Sequence, residues 1–311
     1  MASKGGATRA GESSASGSSA DETWLTVTWP FVREQLPEPP ARIVELGCGE
    51  SGGHLAALRN VGYDALGIDP EAPERPGYRR IAFEDYVPDA PLDAVIASLS
   101  LHHVADPGFV LEHVCDVLAP GGTLVVIEWI SECLDEATAE WCFQHQVRDP
   151  GHPGGWLAEL RSEWIESALS WDVFFGGWLE RRGLHSVGTI RRALDARFVT
   201  AHDSSGPYYF PDLLDADATV EQAAIDAGAI KAGCLRYAGL RARADSTAAG
   251  CRRRPNTDQL AAVRILPGAR RFTASQPTAC PIAWACPTPP SYSYQPGGLL
   301  PAGVPRNCAS K

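Results

Sequence analysis

The chain has 311 residues, 44% of them hydrophobic, and a formal net charge of −11. That apolar content supplies a core for one large domain or two small ones. Residues 246–311 carry +7 and residues 1–245 carry −18, so the main body lacks the basic face that a nucleic-acid backbone requires.

Residues 1–20 consist almost wholly of Ala, Gly, Ser and charged side chains, without an apolar run. They read as a disordered arm, neither signal peptide nor membrane segment. Glu22 to Leu36 predicts a helix with Asp21 as N-cap, in which Pro30 starts a second helical piece. Pro37, Pro39 and Pro40 stop it. Strands are expected at about 42–46, 64–68, 78–83, 94–98 and 123–129, with helices at about 53–61 and 106–118 between them. This alternation predicts an α/β fold, a doubly wound and mostly parallel sheet. From Leu134 to Arg182 the pattern is helical, broken by the Gly/Pro-rich stretch Asp149–Gly155. A helix at 188–194, a strand at 197–202, a helix at 219–228 and a strand at 233–239 complete the domain. The last two strands are expected to add at one sheet edge, one of them antiparallel.

The composition changes near Asp245. Ser246 to Lys311 hold ten of the 25 prolines, eight basic residues and one acidic residue, and apolar periodicity survives only at Leu260–Leu266. This Pro-rich basic tail is expected to be disordered, with a short helix at most. An ordinary linker and a segment read out of frame both fit the switch. The expected organisation is therefore an arm at 1–20, a domain at 21–245 with a helical insertion at about 134–186, and a tail at 246–311. The nine cysteines form no C-x-x-C pair, so a zinc site is not expected, and reduced thiols in a cytoplasm are the simplest reading.

The chemistry is concentrated in E-L-G-C-G-E-S-G-G, Glu45 to Gly53. An apolar run precedes it and a helical pattern follows, which makes a strand, a glycine turn and a helix start. Such a turn brings backbone amides close to a ligand. Gly47, Gly49 and Gly52 meet the G-x-G-x-x-G spacing of dinucleotide folds, and Asp69 follows at the end of the next strand, placed for ribose hydroxyls. S-adenosylmethionine sites use the same geometry. Glu45 and Glu50 on the turn favour the latter, because a carboxylate opposes a pyrophosphate and complements a sulfonium and an ammonium group. Cys48 reads as a small residue that fits the turn.

Three stretches together resemble the class I S-adenosylmethionine-dependent methyltransferases, and within them the type 11 group: Val44–Gly49, Asp93–Ile96 running on to Leu101–Val104, and Leu118–Leu124. The resemblance implies a seven-stranded sheet with the last strand inserted antiparallel. It implies Gly47, Cys48 and Gly49 under the methionine moiety and Glu45 at the cofactor's amino end. Asp69 would meet the ribose, Glu84 or Asp85 the adenine amino group, and Ser98 and Leu99 the donor sulfur. Pro120-Gly121-Gly122 would be a structural turn.

The activity so implied is methyl transfer to an O, N or C atom of a small molecule, catalysed mainly by alignment, with no nucleic-acid or membrane partner. His102 or His103 is the candidate general base, since histidine titrates near neutrality. Glu128 and Glu132 could face the acceptor. His145 and His152 flank the Gly/Pro stretch without an evident third metal ligand. Trp141, Trp156, Trp164, Trp171 and Trp178 fall in the insertion with Phe143, Phe174 and Phe175, either as an aromatic lid over the acceptor or as packing for the inserted helices. Trp24, Trp29 and Phe31 pose the same choice. A nicotinamide-dependent oxidoreductase and a non-catalytic S-adenosylmethionine-binding module are the two alternative readings.

Overall fold

The computed structural model describes residues 20–145 and 155–241. The arm at 1–19, the stretch 146–154 with His152, and the tail from 242 on, including Leu260–Leu266, lie outside the described residues.

In chain order the elements are α1 (Ala20–Gln35), β1 (Arg42–Leu46), α2 (Leu55–Val61), β2 (Asp64–Ile68), β3 (Tyr78–Arg79), β4 (Leu92–Ser98), α3 (Pro107–Val117), β5 (Leu118–Trp129), α4 (Glu136–Gln144), α5 (Gly155–Ser167), α6 (Trp171–Arg182), α7 (Val187–Asp195), β6 (Phe198–Gly206), α8 (Ala218–Asp226) and β7 (Cys234–Arg241). The seven strands form one sheet in the order β3-β2-β1-β4-β5-β7-β6. β1 to β5 pair in parallel, and β7 is antiparallel to both β5 and β6. The predicted sheet and its antiparallel late strand are both present.

Alternation along the strands builds two cores. Val44, Leu46, Val95, Ala97, Leu124 and Val126 point to one face, where α3 and α7 pack. Ile43, Ala94, Ile96, Val125 and Ile127 point to the other, with α1 and α2. A strand places successive side chains on opposite faces, so a sheet covered on both sides needs these near-continuous apolar runs.

Several boundaries differ from the sequence expectation. α1 runs unbroken through Pro30, and Asp21 lies inside it. Its buried stripe, Trp24, Thr28, Phe31 and Val32, continues on both sides of the proline. Packing of that face outweighs the ~3 kcal/mol penalty of an interior proline. β3 is two residues long; residues 80–82 of the expected strand are irregular, and Phe83 begins a 3-10 turn, Phe83–Asp85. β5 begins at Leu118, and the Pro120-Gly121-Gly122 turn is a register shift within the strand, with Gly121 at φ +81°.

Candidate functional site

The carboxyl ends of β1, β2, β4 and β5 lie side by side, the place where open α/β sheets bind ligands. After β1 the chain turns through Gly47 (φ +73°) and Gly49 (φ +60°), backbone that favours glycine. A Cβ on Gly47 would come within 2.2 Å of Ser100 Cβ, whereas one on Gly49 would meet nothing within 4 Å. The turn is thus tight against the segment after β4 on one side and open on the other. Asp69 ties it to β2: one carboxylate oxygen accepts from Gly49 N at 3.0 Å, the other from Glu71 N at 2.7 Å. Cys48 is buried with its sulfur against Gly67, and burial pushes its thiol up to about 12.

Glu45 is turned inward. Its side chain is 1% exposed and accepts from His54 N at 2.7 Å and pairs with His54 Nδ1 at 2.9 Å. His54 Nε2 lies 3.1 Å from Thr28 Oγ1, so a buried chain joins β1, the start of α2 and α1. The acidity facing solvent at this turn comes from exposed Glu50 and half-buried Asp69, not from Glu45. His54 was not picked out from sequence; a histidine nine residues beyond a glutamate carries no recognisable spacing.

The segment after β4 is held from several directions. Leu99 has φ +51°, a strained value for a non-glycine residue, and its N–H donates to Ile127 O at 2.8 Å. Glu128, at the end of β5, accepts from the backbone N–H of Leu101 (2.9 Å), His102 (3.3 Å) and Trp129 (2.8 Å), and it also bonds His102 Nδ1. Glu128 is 0% exposed, so it is a hub of main-chain bonds and not a surface carboxylate. His102 is buried by it. His103 reaches solvent yet lies 4.0 Å ring to ring from His102. Loss of hydration first, then the neighbouring ring, lower the His103 pKa to about 4. Glu132 accepts from Val187 N and Gly188 N and so caps α7. Glu84 and Asp85 sit on the 3-10 turn, the first half-buried and the second exposed.

Rings close the same end of the sheet. α6 carries Trp171, Phe174, Phe175 and Trp178 on one buried face, the i, i+3, i+4, i+7 pattern. They join Trp129, Phe143 and Tyr209 in a third core against the end of β5. Trp129 stacks on Tyr208 at 5.8 Å and meets Trp156 edge-on at 5.6 Å. Trp24 reaches from α1 to donate its indole N–H to Ser98 Oγ at 3.3 Å and packs edge-on against Tyr208. Leu99 touches both this ring cluster and the α1 core. Glu221, 0% exposed on α8, accepts from the N–H groups of Tyr208, Tyr209 and Phe210 and fixes that segment. Trp156 donates to Asp212 at 2.9 Å. His145 bonds Trp141 O, and among the described residues no group of three His, Cys, Asp or Glu is placed to hold a metal. A separate cavity of about 330 Å³, lined by Arg42, Arg79, Tyr86 and Leu92 among others, opens at the amino ends of β1, β2 and β4, away from these groups.

Residues 27–188, just over half the chain, match a family model described as a methyltransferase domain. The chain belongs to the class I S-adenosylmethionine-dependent methyltransferases. S-adenosylmethionine is its methyl donor, and the oxidoreductase reading falls away with this membership. The cradle fits such a ligand: an open face at Gly49 and a half-buried carboxylate at Asp69. No curated protein sequence matches this methyltransferase. Similar solved structures include an S-adenosylmethionine-dependent methyltransferase from Mesorhizobium loti, at 20% identity over 69% of this chain and 97% of that one, TM-score 0.42. Geranyl diphosphate C-methyltransferase from Streptomyces coelicolor A3(2) is 17% identical over 70% and 79%, TM-score 0.41. The N-methyltransferase NodS from Bradyrhizobium japonicum WM9 is 12% identical over 70% and 86%, TM-score 0.37. No helix among the described residues is long and apolar enough to cross a membrane.

Proposed function

We propose that this methyltransferase acts on an O, N or C nucleophile of a small molecule with an apolar or aromatic body. The observation that carries the reading is the ring wall at Ser98–Leu99. Trp24 bonds Ser98, Tyr208 stacks on Trp129, and Glu221 holds the tyrosines in place. Rings fixed in this way bind apolar surface at low entropic cost.

The cofactor, when bound, supplies an electrophilic methyl group on a sulfonium. In this reading the protein supplies mainly alignment, which contributes ~7–11 kcal/mol to lowering the barrier of such a reaction. Gly47, Cys48 and Gly49 present main chain to the methionine end, and Asp69 takes the ribose hydroxyls. Glu45 acts on the amino end through the loop that it supports. Glu84, the half-buried one of its pair, takes the adenine amino group in preference to Asp85. Ser98 and Leu99 flank the sulfur. His102 is the base for acceptors that must lose a proton: Glu128 fixes its Nδ1 and leaves Nε2 for the transfer. The free Cys48, Cys115, Cys133, Cys142 and Cys234 suit a reducing cytoplasm. The arm at 1–20, the domain at 21–245 and the tail at 246–311 remain the proposed organisation.

The test is transfer of labelled methyl from S-adenosylmethionine across a panel of apolar and aromatic amines, phenols and carbon acids, with hydrophilic analogues as controls. Preferential labelling of the apolar members is expected; labelling only of hydrophilic acceptors contradicts the reading. With a phenol acceptor, His102→Ala is expected to lower turnover by about 10²-fold. An unchanged rate removes His102 from that role.

A further inference from the structure

We infer that Asp212 selects acceptors whose apolar body carries a basic amine, its carboxylate pairing with the ammonium at the rim of the ring wall. The inference rests on the reading that this wall binds the acceptor. It goes further in naming the acceptor's charge and the residue that recognises it.

Asp212 ends the 3-10 turn Phe210–Asp212, directly after Tyr208 and Tyr209. Its side chain is half-buried, and Oδ2 accepts from Trp156 Nε1 at 2.9 Å. Among the described residues that is its only side-chain hydrogen bond, and no Lys, Arg or His pairs with it. Oδ1 is left over. It is not sealed from solvent as Ser100 Oγ, Trp178 Nε1 and Arg236 Nε are. It faces Gly155, where a Cβ would come within 3.2 Å, so no side chain from that position covers it. A carboxylate taken partly out of water without a cation is unfavourable. Loss of hydration raises its pKa, the Trp156 indole N–H lowers it, and the Asp21 carboxylate on α1 raises it again. Both Asp21 and Gly155 are exposed, which places Asp212 at the rim of the wall.

The rings stand beside this oxygen. Half-buried Trp156 and Tyr208 meet Trp129 at 5.6 and 5.8 Å, and Trp156 is the residue that Asp212 holds. Ring faces attract cations as well as apolar groups. Exposed Arg182 already lies over the Trp178 ring of the same cluster, 4.1 Å from its centroid. The cofactor fixes the orientation, because its sulfonium repels an ammonium. A cationic acceptor therefore lies with its amine outward at Asp212 and its methyl-accepting atom towards Leu99.

The experiment is ligand-observed NMR titration of the full chain saturated with S-adenosylhomocysteine, as wild type and as Asp212→Asn. The probes are tyramine, 4-ethylphenol and 3-(4-hydroxyphenyl)propionate, which share a ring and differ in charge. Wild type is expected to bind tyramine about tenfold or more tighter than 4-ethylphenol, and the propionate most weakly. Asp212→Asn keeps an acceptor for Trp156 and is expected to bring tyramine within about twofold of 4-ethylphenol, leaving 4-ethylphenol itself unchanged. Equal affinity for tyramine and 4-ethylphenol in wild type overturns the inference, as does a tyramine preference that survives in Asp212→Asn. Should that variant not fold, salt gives the same answer in wild type: the tyramine preference is expected to shrink as ionic strength rises, and a preference that salt leaves unchanged overturns the inference. Binding of 4-ethylphenol without a tyramine preference leaves the ring wall standing as the acceptor site, whereas binding of none of the three removes that reading and the inference with it.

Discussion

The cradle around Gly47 is made of main chain, whereas the wall around Trp129 is made of rings. In the cradle, positive-φ glycines and amides are held by carboxylates: half-buried Asp69 on Gly49, and buried Glu128 on Leu101 and His102 and Glu45 on His54. In the wall, Trp129 meets Tyr208, Trp156, Phe175 and Trp178 at 5.6 to 6.5 Å, and a single buried carboxylate, Glu221, anchors the segment that carries the tyrosines. Fixed amides suit a ligand with the same polar groups every time. Packed rings suit a surface whose outline matters more than its hydrogen bonds. In the proposed reading the contrast makes donor binding and acceptor binding separable properties, carried by different residue types on one sheet end.

The comparison breaks most visibly if Trp129 is removed. Trp129→Ala is expected to cost about 3–5 kcal/mol of stability, measured by denaturant unfolding, because five ring contacts, that with His102 included, lose their partner. Affinity for S-adenosylhomocysteine in the folded variant is expected to change by less than about twofold; a large loss would mean that the wall and the cradle are one unit. Glu221→Ala leaves three backbone amides without their acceptor and is expected to cost about 3 kcal/mol by the same measurement. An effect below about 1 kcal/mol would mean that the tyrosines are held by packing alone.

A paired glycine substitution sharpens the cradle side. Gly47→Ala meets both the φ penalty of ~1–2 kcal/mol and the Ser100 side chain, whereas Gly49→Ala meets the φ penalty only. Denaturant unfolding is therefore expected to show Gly47→Ala about 1–3 kcal/mol less stable than Gly49→Ala. The reverse order would mean that Gly49 makes the closer approach. The smallest effect is expected at His103. Its folded pKa of about 4 lies below the ordinary 6.5, so the unfolded chain binds the proton more readily. Its contribution is fully present above pH 6.5 and is lost as the pH falls towards about 4. His103→Gln is expected to flatten the pH dependence of the melting temperature in that window, and an unaltered slope would assign it to other groups.

The sheet and the cradle were legible in the sequence because both are written in short-range patterns. Apolar runs such as Ala94–Ala97 and the glycines after Glu45 declare a strand and a turn within a few residues. What the sequence reading missed depends on distant partners. Glu45 and Glu128 look like surface carboxylates until the fold brings His54 and His102 to them. Glu221 lies thirteen residues beyond Tyr208, in a helix whose sequence gives no sign that its carboxylate turns inward. The tryptophan stretch announced an aromatic insertion, but not that Tyr208 and Trp24, from opposite ends of the domain, would complete it. Pro30 was read as a break because the local rule for proline is strong; the buried stripe that overrides it appears only when α1 meets the sheet.

A crystal structure with S-adenosylhomocysteine tests the central claim most directly. The methionine end is predicted to lie on the open side of the Gly47–Gly49 turn, with the sulfur beside Leu99 and facing the Trp24–Tyr208 rings. Ligand found instead in the cavity between Arg42 and Tyr86, at the amino ends of the strands, would contradict the account.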